Sequence, residues 1–173
     1  ALLQVADRVT AIEIDERLAK RLPETARFHG VADRALEVIN DDALRVQHLS
    51  GEPNKLIANL PYNVSVPVFL TFLERFPSIT SGVIMVQTEV AERLAAKPGT
   101  DAYGVPSAKS AWWCDVMLAD SVSRSVFWPV PNVDSSLVKF VRHRPLGDEI
   151  LRRRTFELID RAFGQRRKML RSV

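Results

Sequence analysis

The sequence predicts an α/β fold: a mostly parallel sheet with helices on both faces, followed by the opening of a small all-α domain. Three observations carry this. Short apolar runs at 8–15, 36–39, 55–58 and 82–87 alternate with segments of helical spacing, as in units whose strands run parallel. Polar residues close several of these runs (Glu13 and Asp15, Asn40 to Asp42, Asn59), at the strand ends where open α/β sheets bind ligands. The alternation then stops. Runs at 116–119 and 136–141 come without a helix between them, which predicts an antiparallel pair at the sheet edge.

In chain order, Arg8 to Asp15 reads as a strand ending in acids. Asp15 is placed to cap the next helix, in which Leu18 and Leu22 lie one turn apart and which Pro23 is expected to end. Glu13 stands where nucleotide-binding folds put an acid on a ribose diol; a plain surface acid is the ordinary alternative. Leu36–Ile39 is a second strand and runs into Asn40-Asp41-Asp42-Ala43. Adjacent acids there cap a helix by default, and otherwise bind a metal or accept from an adenine amino group. Residues 51–54 form a turn before Lys55–Ala58, a strand expected to be buried. An apolar helix over Val66–Phe76 follows, with a break at Pro77 and Ser78.

Gly82–Gln87 is another buried strand, and Thr88 is expected to cap a helix over Glu89–Ala96. Pro106–Trp113 reads as one more helix. Between the two late strands lies a loop rich in proline and aromatics, Phe127 to Ser135. It is stiff and offers flat rings on which a base can stack; the ordinary alternative is a connection with Phe127 and Trp128 buried. Pro145 and Gly147 mark a boundary, so residues 1–145 are read as one domain and 146–173 as the start of another. Phe156, Ile159 and Phe163 then form an apolar stripe for which the chain is expected to hold no partner.

At 46% hydrophobic and 26% charged, the chain can bury a core and is not disordered. One cysteine, Cys114, excludes a disulfide framework. It sits beside Trp112 and Trp113 and reads as a buried free thiol. His29, His48 and His143 are scattered without ligand spacing, so no metal is expected. No run approaches the roughly 18 apolar residues of a membrane helix, and the start lacks the features of a signal peptide; a cytoplasmic protein is expected. Net charge is +3, yet residues 151–173 hold eight basic groups against Glu157 and Asp160, a balance of +6, which leaves −3 for the rest. A basic segment on a slightly acidic domain points to a polyanion partner, with a solvated helix face as the alternative.

The stretch Asn59-Leu60-Pro61-Tyr62-Asn63 joins a strand to a helix. It resembles the Asn/Asp-Pro-Pro-Tyr loop of amino-directed methyltransferases. The chemistry suits these residue types. An adenine N6 amine is a poor nucleophile because its lone pair is delocalised into the ring. An Asn side-chain oxygen and a backbone carbonyl can accept its hydrogens, a planar Tyr can stack on the base, and Pro61 fixes φ in the turn. Methyl transfer from a sulfonium needs positioning more than a strong base.

Further segments resemble one family in the same order: Ala11 to Asp15, Asn59 to Ser65, Ala102-Tyr103-Gly104, the Phe127-x-Pro-x-Pro-x-Val-Asp-Ser135 loop, and Ala162 to Lys168 with its Gln165-Arg166-Arg167-Lys168 run. The chain is similar over nearly its whole length to the small-subunit rRNA adenine N6,N6-dimethyltransferases linked to kasugamycin sensitivity. The resemblance implies a class I, Rossmann-like sheet that binds S-adenosylmethionine, in an enzyme that dimethylates two adjacent adenines near the 3′ end of small-subunit rRNA. Glu13, with Ile14, would hold the ribose, and Asp42, with Ala43, the cofactor adenine. Asn59 and the Leu60 carbonyl, shaped by Pro61, would hold the target amine, with Asn59 also near the cofactor. Tyr62 and Phe127 would stack on the flipped base. Arg166, Arg167 and Lys168 would meet RNA phosphates or the helical domain. The implied partner is the immature small ribosomal subunit, and the implied enzyme a monomer.

The family's glycine-rich loop lies before Glu13, where Ala1 to Arg8 hold no glycine, and the chain has no initiator Met. A fragment is therefore expected, lacking that loop and most of the helical domain, with weak or no cofactor binding of its own. The alternatives are the large-subunit rRNA dimethyltransferase of macrolide resistance and a non-catalytic ribosome-assembly factor on the same fold.

Overall fold

The computed structural model describes residues 1–164. The chain divides into two units, Ala1–Pro53 and Asn54 onward. In the first, strands β1 (Val9–Ile12) and β2 (Leu36–Ile39) pair in parallel, Val9 opposite Leu36 and Ile12 opposite Ile39. Helix α1 (Glu16–Phe28) starts where expected, because the Asp15 carboxylate accepts from the backbone N–H of Arg17 at 2.8 Å and of Leu18 at 3.3 Å. It does not end at Pro23, which lies inside the helix. A proline there forfeits the bond its own N–H would make, but the turns on either side continue. The stop is Gly30, at φ +74°, a left-handed residue that glycine adopts without strain; beyond it the Val31 N–H returns to the Ala26 carbonyl at 3.0 Å.

The second unit holds β3 (Lys55–Asn59), α2 (Ser65–Arg75), β4 (Ser81–Gln87), α3 (Thr88–Ala95), α4 (Val105–Ser110), β5 (Cys114–Val122), β6 (Ser135–Arg142) and α5 (Glu149–Gly164). Its sheet runs β3-β4-β6-β5, with β3 parallel to β4 and β6 antiparallel to both neighbours. The late antiparallel pair is thus as predicted. The strands form two sheets where the sequence suggested one. β3 is an edge strand of its sheet, so it is not buried as expected: Ile57 is 50% exposed.

Phe69, Leu73, Ile79, Ile84, Val86, Val138 and Phe140 make the core, with the Phe69 and Phe140 rings edge to face at 5.1 Å. Gly82 sets how closely β3 and β4 approach. A Cβ there would strike the Leu56 carbonyl oxygen and lie 2.7 Å from Phe140 Cε1. Arg142 reaches back from β6 to the end of α2, donating from Nη2 to the Leu73 carbonyl and from Nε to the Ile79 carbonyl, both at 2.7 Å. The first bond satisfies a carbonyl that the helix end leaves without a partner and the second ties the loop that follows, while burial pulls the guanidinium below its ordinary pKa.

Two further expectations are corrected. Thr88 is the first residue of α3 rather than its cap; its hydroxyl shares a 3.0 Å bond with Ser136 instead. The stripe on α5 does have a partner in the chain. Phe156 packs edge-on to Trp113 at 5.3 Å and to Trp112 at 6.3 Å, and Phe163 meets Tyr103 at 6.0 Å. Arg152, 8% exposed, pins the helix by donating to Glu149 at 2.7 Å and to Glu74 at 2.6 Å.

Candidate active site

The turn after β3 is fastened on both sides. Leu60 is buried, and its N–H extends the β3–β4 ladder by donating to the Met85 carbonyl at 3.1 Å. The Val64 N–H closes the turn on the Pro61 carbonyl at 3.2 Å, and Ser65 Oγ donates to the Tyr62 carbonyl at 3.3 Å. Asn59, at the last position of β3, is exposed, and its carboxamide bonds no described residue. Tyr62 is half-buried, and its hydroxyl shares a 2.9 Å hydrogen bond with that of Ser135, at the start of β6.

The facing wall is the loop between β5 and β6. Its base is stapled: the Arg124 N–H donates to Asp134 Oδ1 at 3.1 Å, Arg124 Nη1 to the Asn132 carbonyl at 3.2 Å, and the Phe127 N–H to the Arg124 carbonyl at 3.2 Å. Phe127 is half-buried, but Trp128 is 95% exposed, so the alternative in which both rings are buried does not hold for Trp128. Prolines at 129 and 131 have fixed φ and no N–H to pair, and the loop leaves the Trp128 ring uncovered.

The two walls enclose an open cleft of about 390 Å³ lined by Asn59, Leu60, Pro61, Tyr62, Phe127 and Trp128, with Pro129 and Pro131. The residues that the resemblance placed at the target amine therefore meet in one place, although Phe127 is far from Asn59 in sequence. A carboxamide without a partner among the described residues, lining one cleft with aromatic rings, suits a flat heterocycle carrying an exocyclic amine. Cys114 takes no part. It is buried, and burial pushes its thiol up to about 12, so almost no thiolate forms at neutral pH.

The other predicted residues lie in the first unit. Glu13, half-buried, continues the β1 ladder through its N–H to the Ile39 carbonyl at 3.0 Å, and its Oε1 accepts from the Asp15 N–H at 2.9 Å. Oε2 has no partner among the described residues. Asn40 Nδ2 braces this end of the strand by donating to the Glu13 carbonyl at 2.8 Å and the Ile14 carbonyl at 3.3 Å. Ile14 is exposed and Ala43 half-buried. Asp42 Oδ1 caps the next turn at the Leu44 N–H, 2.9 Å away, which is the default role for such an acid. A braced carboxylate with one unengaged oxygen fits a ribose diol, so the residues present fit an adenosine-type cofactor.

Arg166, Arg167 and Lys168 lie outside the described residues. The sequence reading had missed Asn40 as a brace and Ser135 as the partner of Tyr62. For Ser135 the only signal was its place at the end of the proline loop. Among the described residues no group of three His, Cys, Asp or Glu is placed to hold a metal, and no helix is long and apolar enough to cross a membrane.

A family model described as "Ribosomal RNA adenine dimethylase" matches residues 1–173. A protein of Leifsonia xyli named "Ribosomal RNA small subunit methyltransferase A" is 57% identical over 172 residues, covering 98% of this chain and 61% of that protein. The protein of that name in Streptomyces griseus is 54% identical over 177 residues, covering 100% of this chain and 60% of its own. This chain thus spans about 60% of the length of the curated relatives it matches. Among solved structures, a dimethyladenosine transferase from Plasmodium falciparum superposes with a TM-score of 0.81 at 28% identity, over 99% of this chain and 60% of that one. The 23S rRNA methyltransferase ErmE does so with a TM-score of 0.74 at 27% identity, over 95% and 64%. The α/β methyltransferase fold expected from the sequence is the fold shared with these structures.

Proposed function

We propose that this chain, which belongs to the ribosomal RNA adenine dimethylase family, carries the chemistry of an enzyme that methylates the N6 amines of two adjacent adenines near the 3′ end of small-subunit rRNA, giving N6,N6-dimethyladenine. The observation that carries the reading is the cleft in which the free Asn59 carboxamide lies with Tyr62 and Phe127. A paired adenine keeps its amine inside the helix, so the base is extruded and held between the Tyr62 and Phe127 rings. The Asn59 side-chain oxygen and the Leu60 carbonyl accept the two amine hydrogens. This turns the nitrogen lone pair out of conjugation and aims it. Pro61 keeps the two acceptors in register by fixing φ.

S-adenosylmethionine supplies, when bound, a methyl group on a positive sulfur. Glu13 would hold its ribose hydroxyls, with Ile14 alongside, and Asp42 its adenine, with Ala43 alongside. A nitrogen that has taken the methyl group would be acidic. A carboxamide is no base at neutral pH, so the surplus proton leaves to water, which the open cleft admits. Positioning supplies most of the rate.

In this reading residues 1–145 are the catalytic domain, 146–173 open the helical domain, and Arg166, Arg167 and Lys168 meet phosphates. The enzyme works as a cytoplasmic monomer on the immature small subunit. Identity of 51–57% to proteins named for the small subunit favours this substrate over large-subunit rRNA.

The test is methyl transfer by the natural protein that contains this chain, with labelled S-adenosylmethionine. Label recovered as dimethyladenine on small-subunit particles lacking the modification is expected, and Asn59→Ala should abolish it while particle binding stays. Label on protein-free large-subunit rRNA alone, or an Asn59→Ala variant that methylates normally, overturns the reading.

A further inference from the structure

We infer that the Trp128 indole is a second base-stacking site at the mouth of the cleft, and that it takes the nucleotide next to the target adenine. The inference deepens the proposed function and rests on it for the identity of the RNA.

Trp128 lines the same cleft as Asn59 and Tyr62, yet it is 95% exposed. It makes no hydrogen bond, ring contact or cation contact with any described residue. A large apolar ring held in water is unfavourable, and indole is commonly placed where one end is to be covered. The loop also holds the backbone that carries the ring. Arg124 and Asp134 tie its base, and the prolines that follow fix two φ angles. A platform on a fixed backbone has only its own side-chain torsions to lose when a base arrives.

The backbone separates the two rings. Phe127 is extended, at φ −102° and ψ 149°, and consecutive side chains of an extended chain point to opposite sides. Phe127, half-buried, can face the base in the cleft while Trp128, which lines the cleft but is 95% exposed, stands at its rim. One ring wall serves the target adenine, and the other serves its neighbour along the strand. Stacking tolerates any base because every base has a π face. The site would therefore grip a flanking nucleotide before and after it is methylated. The indole Nε1–H, also unpartnered, can donate to a ribose or phosphate oxygen.

The tryptophans make the test direct. The chain has Trp112, Trp113 and Trp128; the first two are each 5% exposed, so the Trp128 emission is the long-wavelength, acrylamide-accessible part that this chain contributes, read as the difference between the parent and Trp128→Ala. The natural protein would be titrated with a short single-stranded RNA containing two adjacent adenines. RNA should quench that emission and shield it from acrylamide. Trp128→Ala should remove the signal, weaken RNA binding about tenfold, within the range stacking gives per base, and raise KM for the particle by a similar factor with a smaller change in kcat. Trp128→Phe should restore most of the affinity.

Saturating RNA that leaves the exposed emission unchanged, or a Trp128→Ala variant with parental affinity and KM, overturns the inference. If Asn59→Ala loses methyl transfer while Trp128→Ala binds and turns over as the parent does, this inference alone fails. If the RNA quenches Trp128 but label never reaches adenine, the stacking site stands and the catalytic reading fails.

Discussion

The hydroxyl pair between Tyr62 and Ser135 gives an asymmetric prediction. Ser135 is fully buried, whereas Tyr62 is half-buried on an open cleft. Tyr62→Phe removes the partner of a hydroxyl that water cannot reach, so it should cost about 1–3 kcal/mol, the penalty for a buried unsatisfied polar group. Ser135→Ala leaves the Tyr62 hydroxyl beside solvent, where water replaces the lost bond, and should cost about 0.5–1 kcal/mol. The double variant strands nothing. It should be close to Ser135→Ala alone, so the coupling should equal the Tyr62→Phe cost, about 1–3 kcal/mol. Urea unfolding followed by tryptophan fluorescence is the assay, because all three tryptophans lie in the second unit and report on it. Equal single costs that simply add would mean that the two hydroxyls are solvated independently, and the fastening of the Tyr62 ring would have to be given up.

Two predictions concern α5. Arg152 donates to Glu149 and Glu74 and lies over the rings of Phe156, at 4.9 Å, and Trp113, at 5.6 Å. Both carboxylates are about half exposed and can rehydrate, so Arg152→Met should destabilise the second unit by only about 2 kcal/mol, seen as earlier hydrogen exchange along α5. The Arg152 side chain, and after it that of Arg153, holds the Glu149 carboxyl down to about 2, from an ordinary 4.5. A depressed carboxyl adds stability that is complete above its unfolded value and is lost as the pH falls through the folded one. Protection factors at the start of α5, which remove the intrinsic pH dependence of amide exchange, should therefore fall between pH 4.5 and 2, with a shallower slope in Arg152→Met; a flat profile across that window would refute the pairing.

The elements and their chemistry were legible where a short stretch carries its own signal. The Asp15 cap, the runs that became β1, β2 and β4, and the antiparallel late pair all follow from local pattern. So does the choice of Asn59, Pro61 and Tyr62, because the demands of a weakly nucleophilic amine restrict residue types. The failures were of another kind. Pro23 was read as a stop because a proline is an immediate penalty, whereas the true stop, Gly30, depends on a backbone angle. Ile57 was read as buried because apolarity does not say which strand will be at an edge.

By itself, then, the sequence determined which segments become strands and helices, and which side chains could serve an adenine amine, since both rest on neighbouring residues and on functional-group chemistry. Tertiary structure alone decided the rest. It joined Tyr62 to Ser135, 73 positions apart. It covered the α5 stripe with Trp112 and Trp113, and it left Trp128 in water. Burial and long-range contact are properties of the assembled packing: whether a ring is covered depends on what else arrives there, and no periodicity within the ring's own segment encodes that.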